Sequence, residues 1–100
     1  MIIRIVKLTF HPESIRSFLE IFNAEQKRIA SFAGCRKLLL LKDQQNPNVF
    51  FTYSEWDHAE ALENYRQSAL FKSIWANARK HFADRPEAWT LQTISNNSDY

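Results

Sequence analysis

Glycine is almost missing from this chain: Gly34 is the only one in 100 residues. A phosphate or dinucleotide site built on a glycine-rich loop needs several, so that class of cofactor site is excluded. Cysteine is equally scarce. Cys35 stands alone, so no intramolecular disulfide can form, which fits a reducing compartment. His11, His58 and His81 are too scattered for metal-ligand spacing, and no cluster of His, Cys and carboxylates replaces them. Neither a metal nor another cofactor is expected. No apolar run is long enough to cross a bilayer, so no membrane partner is expected. The first residues, MIIRIVKLTF, alternate where a signal peptide would be continuously apolar, which points to a cytoplasmic protein. One-signed charge is lacking too. The net charge is +2, and basic pairs such as Arg79-Lys80 lie among acidic residues, so no nucleic-acid partner is expected.

Aromatics are what the chain has in plenty: 14% of its residues, within a hydrophobic content of 45%. Its length fits one domain, with a core over residues 2–94 and a polar tail over 95–100. The stretch from Val49 to Phe82 organises the rest. It opens with VFFTYSEW, in which Phe51 and Tyr53 point one way and Phe50 and Trp56 the other. A strand apolar on both faces must be central and covered on both sides.

Before it, Ile2–Phe10 alternates as a strand. Pro12 then suits the first turn of a helix. Ile15, Phe18, Leu19, Phe22, Ile29 and Phe32 recur at helical spacing over residues 13–32. Gly34 follows as a helix stop, and Arg36–Lys42 reads as a second strand. A polar turn over residues 43–48 joins it to Val49–Trp56 as an antiparallel hairpin. Asp57 with Glu60 makes a D-x-x-E capping box for a helix whose buried stripe is Ala59, Leu62 and Tyr65. Ser68 is a second cap or a kink. Leu70, Phe71, Ile74, Trp75, Ala78 and Phe82 continue as an amphipathic helix that stops at Arg85-Pro86. Ala88–Ile94 alternates as the last strand.

The order β-α-β-β-α-β is the ferredoxin-like α+β plan, two split units around one antiparallel sheet. Its helices cover one face only. Leu39, Leu41, Phe51 or Phe50, and Trp89 or Leu91 remain for the other face, with the parity open. So large an apolar face calls for a cover, and a twin subunit is the simplest one, so a homodimer is expected.

Glu55, Trp56, Asp57, Ala61, Leu62, Tyr65, Ser68 and Phe71 spell E-x-W-x-x-x-x-A-L-x-x-Y-x-x-S-x-x-F. With the apolar first strand and the closing AWTL, this resembles the antibiotic biosynthesis monooxygenase domain family over residues 2–94. The resemblance implies a ferredoxin-like fold paired into a dimeric α+β barrel, and a cofactor-independent monooxygenase acting on a small apolar or aromatic compound. It also implies a functional Asn, Trp and His in active members. Those positions fall here on Val6, Tyr65 and Trp75, so all three differ. Without that histidine, no haem ligated by a protein imidazole is expected.

The candidate site residues are Tyr65, as the catalytic hydroxyl, and Phe22, Phe71 and Trp75, as the apolar wall for substrate. Tyr65 would hydrogen-bond a ligand oxygen or help to hold a deprotonated substrate. The plainer alternative is that these rings fill the core. The chain would then be a non-catalytic dimeric domain that binds a small ligand or only assembles. His81 reads as a cation complementing a helix C-terminus, His11 as a turn residue and His58 as exposed.

Overall fold

The computed structural model describes residues 1–95. In chain order it has β1 (Ile2–Thr9), α1 (Ile15–Ala30), β2 (Cys35–Lys42), β3 (Val49–Trp56), α2 (Ala59–Arg66), α3 (Ala69–Arg79) and β4 (Glu87–Gln92). The expected polar tail lies, from Asn96 onward, outside the described residues. The four strands form one antiparallel sheet in the order β2-β3-β1-β4. The strand read as central, β3, is central. None of the helices is long and apolar enough to cross a membrane, among the described residues.

Register settles the open parity. Leu39 faces Tyr53, Tyr53 faces Ile5, and Ile5 faces Trp89, in a row across all four strands. A second row runs Leu41, Phe51, Lys7 and Glu87, and Ile3 pairs with Leu91. Phe51, not Phe50, therefore lies on the bare face, and Trp89 and Leu91 both join it. Leu39, Leu41, Trp89 and Leu91 are exposed there. The opposite face turns Leu8, Phe50 and Trp56 under the helices, where all three are buried.

Several boundaries moved. A 3-10 turn at Pro12–Ser14 precedes α1, with Pro at its first position. The last strand starts one residue earlier than expected and ends at Gln92. The final helix ends at Arg79, well before Arg85-Pro86, because Phe82 leaves it to bridge Phe10 beyond the end of β1. The cap of α2 is His58 rather than Asp57: its Nδ1 accepts the Ala61 amide hydrogen at 3.2 Å. Asp57 is drawn away by an ion pair with Arg36 on β2. The buried stripe of α2 shifts with its start, so Ala61 and Leu62 are buried while Ala59 is exposed.

Gly34 does more than follow α1. Its φ is +88°, a region open to glycine, and a Cβ there would overlap the Cβ of Ala61. Its carbonyl accepts the Asp57 amide hydrogen at 2.9 Å. The only glycine thus lets the α1–β2 turn press against the start of α2.

Candidate active site

Helix cover and sheet meet in two buried clusters. One is wholly apolar: Leu8, Phe10, Phe18, Phe22, Phe50 and Ala78. Phe10 and Phe18 stack with centroids 4.2 Å apart. The other gathers Trp56, Ala61 and Leu62, with Phe32, Cys35 and Tyr65 against them. Here the rings carry polar tips. Trp56 Nε1 donates to Ser54 Oγ at 2.9 Å, and both groups are buried. Among the described residues, no buried side-chain polar atom is left without a partner.

Ser68 joins the clusters by breaking the helix between them. Its Oγ accepts the Phe71 amide hydrogen at 3.1 Å, capping α3, and donates to the Tyr65 carbonyl at 2.6 Å. The break lets Tyr65 from α2 and Phe71 and Trp75 from α3 face the same space. Tyr65 stacks on Trp56 at 5.1 Å and meets Phe71 edge-on at 5.2 Å. Phe71 stacks on Trp75 at 5.8 Å with planes only 10° apart. Such offset and edge-on pairs hold rings in place beyond the area they bury.

Between the clusters lies a chamber of about 100 Å³. Phe22, Tyr65, Phe71 and Trp75, the four residues singled out from the sequence, all line it. The rest of its wall is mostly apolar, with Thr52 and Ser54 as polar exceptions beside Tyr65. Thr52 and Ser54 were missed. Their signal was present, since they interrupt the inward-facing positions of an otherwise aromatic strand.

Burial, and to a lesser degree the nearby Cys35, push the Tyr65 hydroxyl up to about 12. At neutral pH it is a donor and a poor base. Among the described residues no side-chain hydrogen bond ties that hydroxyl down. Burial also pushes the Cys35 thiol up, and the thiol donates to the Lys37 carbonyl at 3.6 Å, so Cys35 is a weak nucleophile.

A second, open pocket of about 420 Å³ lies beyond the Tyr65–Phe71–Trp75 wall, which it shares with the chamber. Arg4, Arg66 and Arg79 also line it, with Pro86 and Ala88 near the β4 edge. None of these arginines was singled out from the sequence. They come from β1, α2 and α3, and no local pattern links them.

No group of His, Cys, Asp and Glu suited to a metal ion occurs among the described residues. None of the three histidines lines the chamber or the outer pocket, so these walls do not fit a haem held by a protein imidazole.

Comparison with known proteins agrees with the fold. The family model described as antibiotic biosynthesis monooxygenase matches residues 1–77, from β1 almost to the end of α3. No curated protein matches by sequence. Among solved structures, a candidate antibiotic biosynthesis monooxygenase from Deinococcus radiodurans superposes with a TM-score of 0.90 at 13% identity, covering 100% of this chain and 99% of that one. A second candidate, from Nitrosomonas europaea, gives 0.87 at 13% identity, covering 95% and 100%. A conserved protein from Methanosarcina mazei Go1 gives 0.86 at 20% identity, covering 92% of each chain. At these identities the structures speak for the fold.

Proposed function

The chain belongs to the antibiotic biosynthesis monooxygenase family, and from that premise we propose that it is a cofactor-independent monooxygenase of the cytoplasm, acting on a small phenol-like aromatic compound beside Tyr65. One observation carries this reading. The chamber is lined by apolar side chains with Thr52, Ser54 and Tyr65 as polar exceptions, and the Tyr65 hydroxyl, protonated at neutral pH, has no side-chain partner among the described residues. Sites for small ligands have this character: a mostly apolar wall with few placed polar groups.

The residues suggest the roles. Phe22, Phe71 and Trp75 orient the ring and exclude water. Tyr65 donates its hydrogen to the substrate oxygen and stabilises the phenolate form, which is the form that reacts with oxygen. Among the described residues no lining side chain is a competent base at neutral pH, so the phenol gives its proton to solvent, and the hydrogen bond from Tyr65 offsets the burial that disfavours the phenolate. The overall reaction balances without an added reductant. A phenol with a free para carbon and one O₂ yield a quinone and one water. One oxygen atom enters the ring, and the other leaves as water with the phenolic hydrogen and the para hydrogen.

The same reading includes a homodimer formed through the bare sheet face. The rows Leu39–Tyr53–Ile5–Trp89 and Ile3–Leu91 offer a continuous apolar surface, and obligate interfaces of this kind bury about 2,000 Å² or more in total.

A second reading has one observation in its favour. At about 100 Å³ the chamber is smaller than the engineered cavity of about 150 Å³ known to hold benzene. A chain that only assembles would need no more room than this. Oxygen uptake separates the two. With naphthol under labelled O₂, the proposal expects enzyme-dependent uptake and a quinone carrying one labelled oxygen. Uptake no faster than buffer, with Tyr65→Phe identical to the parent, would favour the assembly domain.

A further inference from the structure

The outer pocket holds more positive charge than its surroundings balance. Arg4, Arg66 and Arg79 line it, and no carboxylate does among the described residues. Among the described residues Glu63 is the acid engaged nearby, through an ion pair of 3.3 Å with Arg66. No ion pair to Arg4 or Arg79 occurs among the described residues. Arg4 is half-buried, and it spends one donor, Nη1, on Thr90 Oγ1 at 2.7 Å. A guanidinium carries five donors in a planar fork, so most of that fork remains available. Burial and then the Arg66 charge pull Arg4 below its usual range, while Glu63 pulls it back. Like charges gathered in a partly dry pocket repel one another, and a bound anion relieves that repulsion.

The apolar side of the same pocket is equally specific. Phe71 and Trp75 form the wall shared with the chamber, and their rings stack nearly parallel. A ligand seated here meets guanidinium forks on one side and flat aromatic surface on the other. Carboxylates accept two parallel hydrogen bonds from such a fork.

We propose that the outer pocket binds the carboxylate of an aromatic acid through Arg4, Arg66 and Arg79, with the ring of the acid against Phe71 and Trp75. This rests on the preceding reading of the chamber as a ligand site and narrows its substrate class to aromatic acids. The carboxylate anchors outside, and the reacting end is directed past Trp75 towards Tyr65.

Calorimetric titration with naphthoate and its neutral isostere naphthamide tests the assignment. Hydrogen bonds to a charged group support a preference of about tenfold or more for naphthoate. That preference weakens with added salt and is largely lost in Arg79→Gln and in Arg66→Gln. Both side chains are exposed, so these variants keep the parent's thermal unfolding midpoint, and Arg79→Lys retains part of the preference. Equal affinity for naphthoate and naphthamide overturns the anion site and leaves the chamber reading standing. Inorganic phosphate binding as tightly as naphthoate overturns the aromatic class. If neither aromatic compound binds, this inference falls, and oxygen uptake with naphthol decides the chamber reading separately.

Discussion

The two clusters under the helices are built from similar rings and do different work. Around Phe10 and Phe18 the buried side chains of the cluster are all apolar, and Phe10 is 1% exposed. Around Trp56 and Tyr65 the rings carry an indole N–H and a phenol, and these polar tips are matched with restraint. Trp56, 0% exposed, is satisfied by Ser54, while Tyr65 lines the chamber and its hydroxyl has no side-chain partner among the described residues. The contrast teaches that rings with polar tips can be packed into a small domain beside a cavity as well as rings without them. One cluster supplies the packing that keeps the fold. The other holds its rings by stacking and leaves one donor unspent.

That contrast can be broken from either side. Phe10→Ala should cost about 3–5 kcal/mol of unfolding free energy, as a large-to-small change at a fully packed site does; denaturant titration would read it. Gly34→Ala should cost about 2–4 kcal/mol, from the left-handed backbone and the overlap with Ala61 together. Ala61→Gly in the same chain should restore the overlap part and not the backbone part. On the bare face, Trp89→Glu should weaken the proposed dimer by about 2 kcal/mol or more, as loss of a large aromatic anchor to a charge does. Light scattering should then show a monomer mass where the parent shows a dimer.

The smallest effect belongs to Tyr65 itself. Below its ordinary value of 10.0 the hydroxyl is protonated in folded and unfolded chains alike and adds no pH dependence. Between 10.0 and about 12 the unfolded chain releases the proton while the folded chain keeps it, so stability falls as pH rises. The expected loss is about 1 kcal/mol by roughly pH 11. Tyr65→Phe should flatten that alkaline limb, and a late phase in the phenolate absorbance should vanish with it.

Element order was legible because the alternation in the strands and the three-and-four spacing in the helices are unambiguous. Parity was not. It depends on which β3 residue meets which β1 residue, and Phe50 and Phe51 are equally apolar neighbours until the pairing with Leu8 and Lys7 is known. The break at Ser68 was legible, since a serine ahead of an apolar run caps readily. The cap at His58 was not, because D-x-x-E is the stronger local signal and only the fold brings Arg36 across to claim Asp57. Tyr65 and Trp75 could be picked out because the family resemblance puts functional side chains at their positions, and helical spacing adds only that Phe22 and Phe71 lie on apolar helix faces. Arg4, Arg66 and Arg79 could not, as their meeting depends on how α2 and α3 lie over β1.

The central claim, that Tyr65 serves a site and does not merely fill the core, is tested most directly by titrating naphthol into the parent and into Tyr65→Phe while measuring the stability of both at neutral pH. Affinity should drop about tenfold, the worth of one hydrogen bond to a charged oxygen, while stability barely moves. A stability loss of about 1 kcal/mol with naphthol binding unchanged would contradict it.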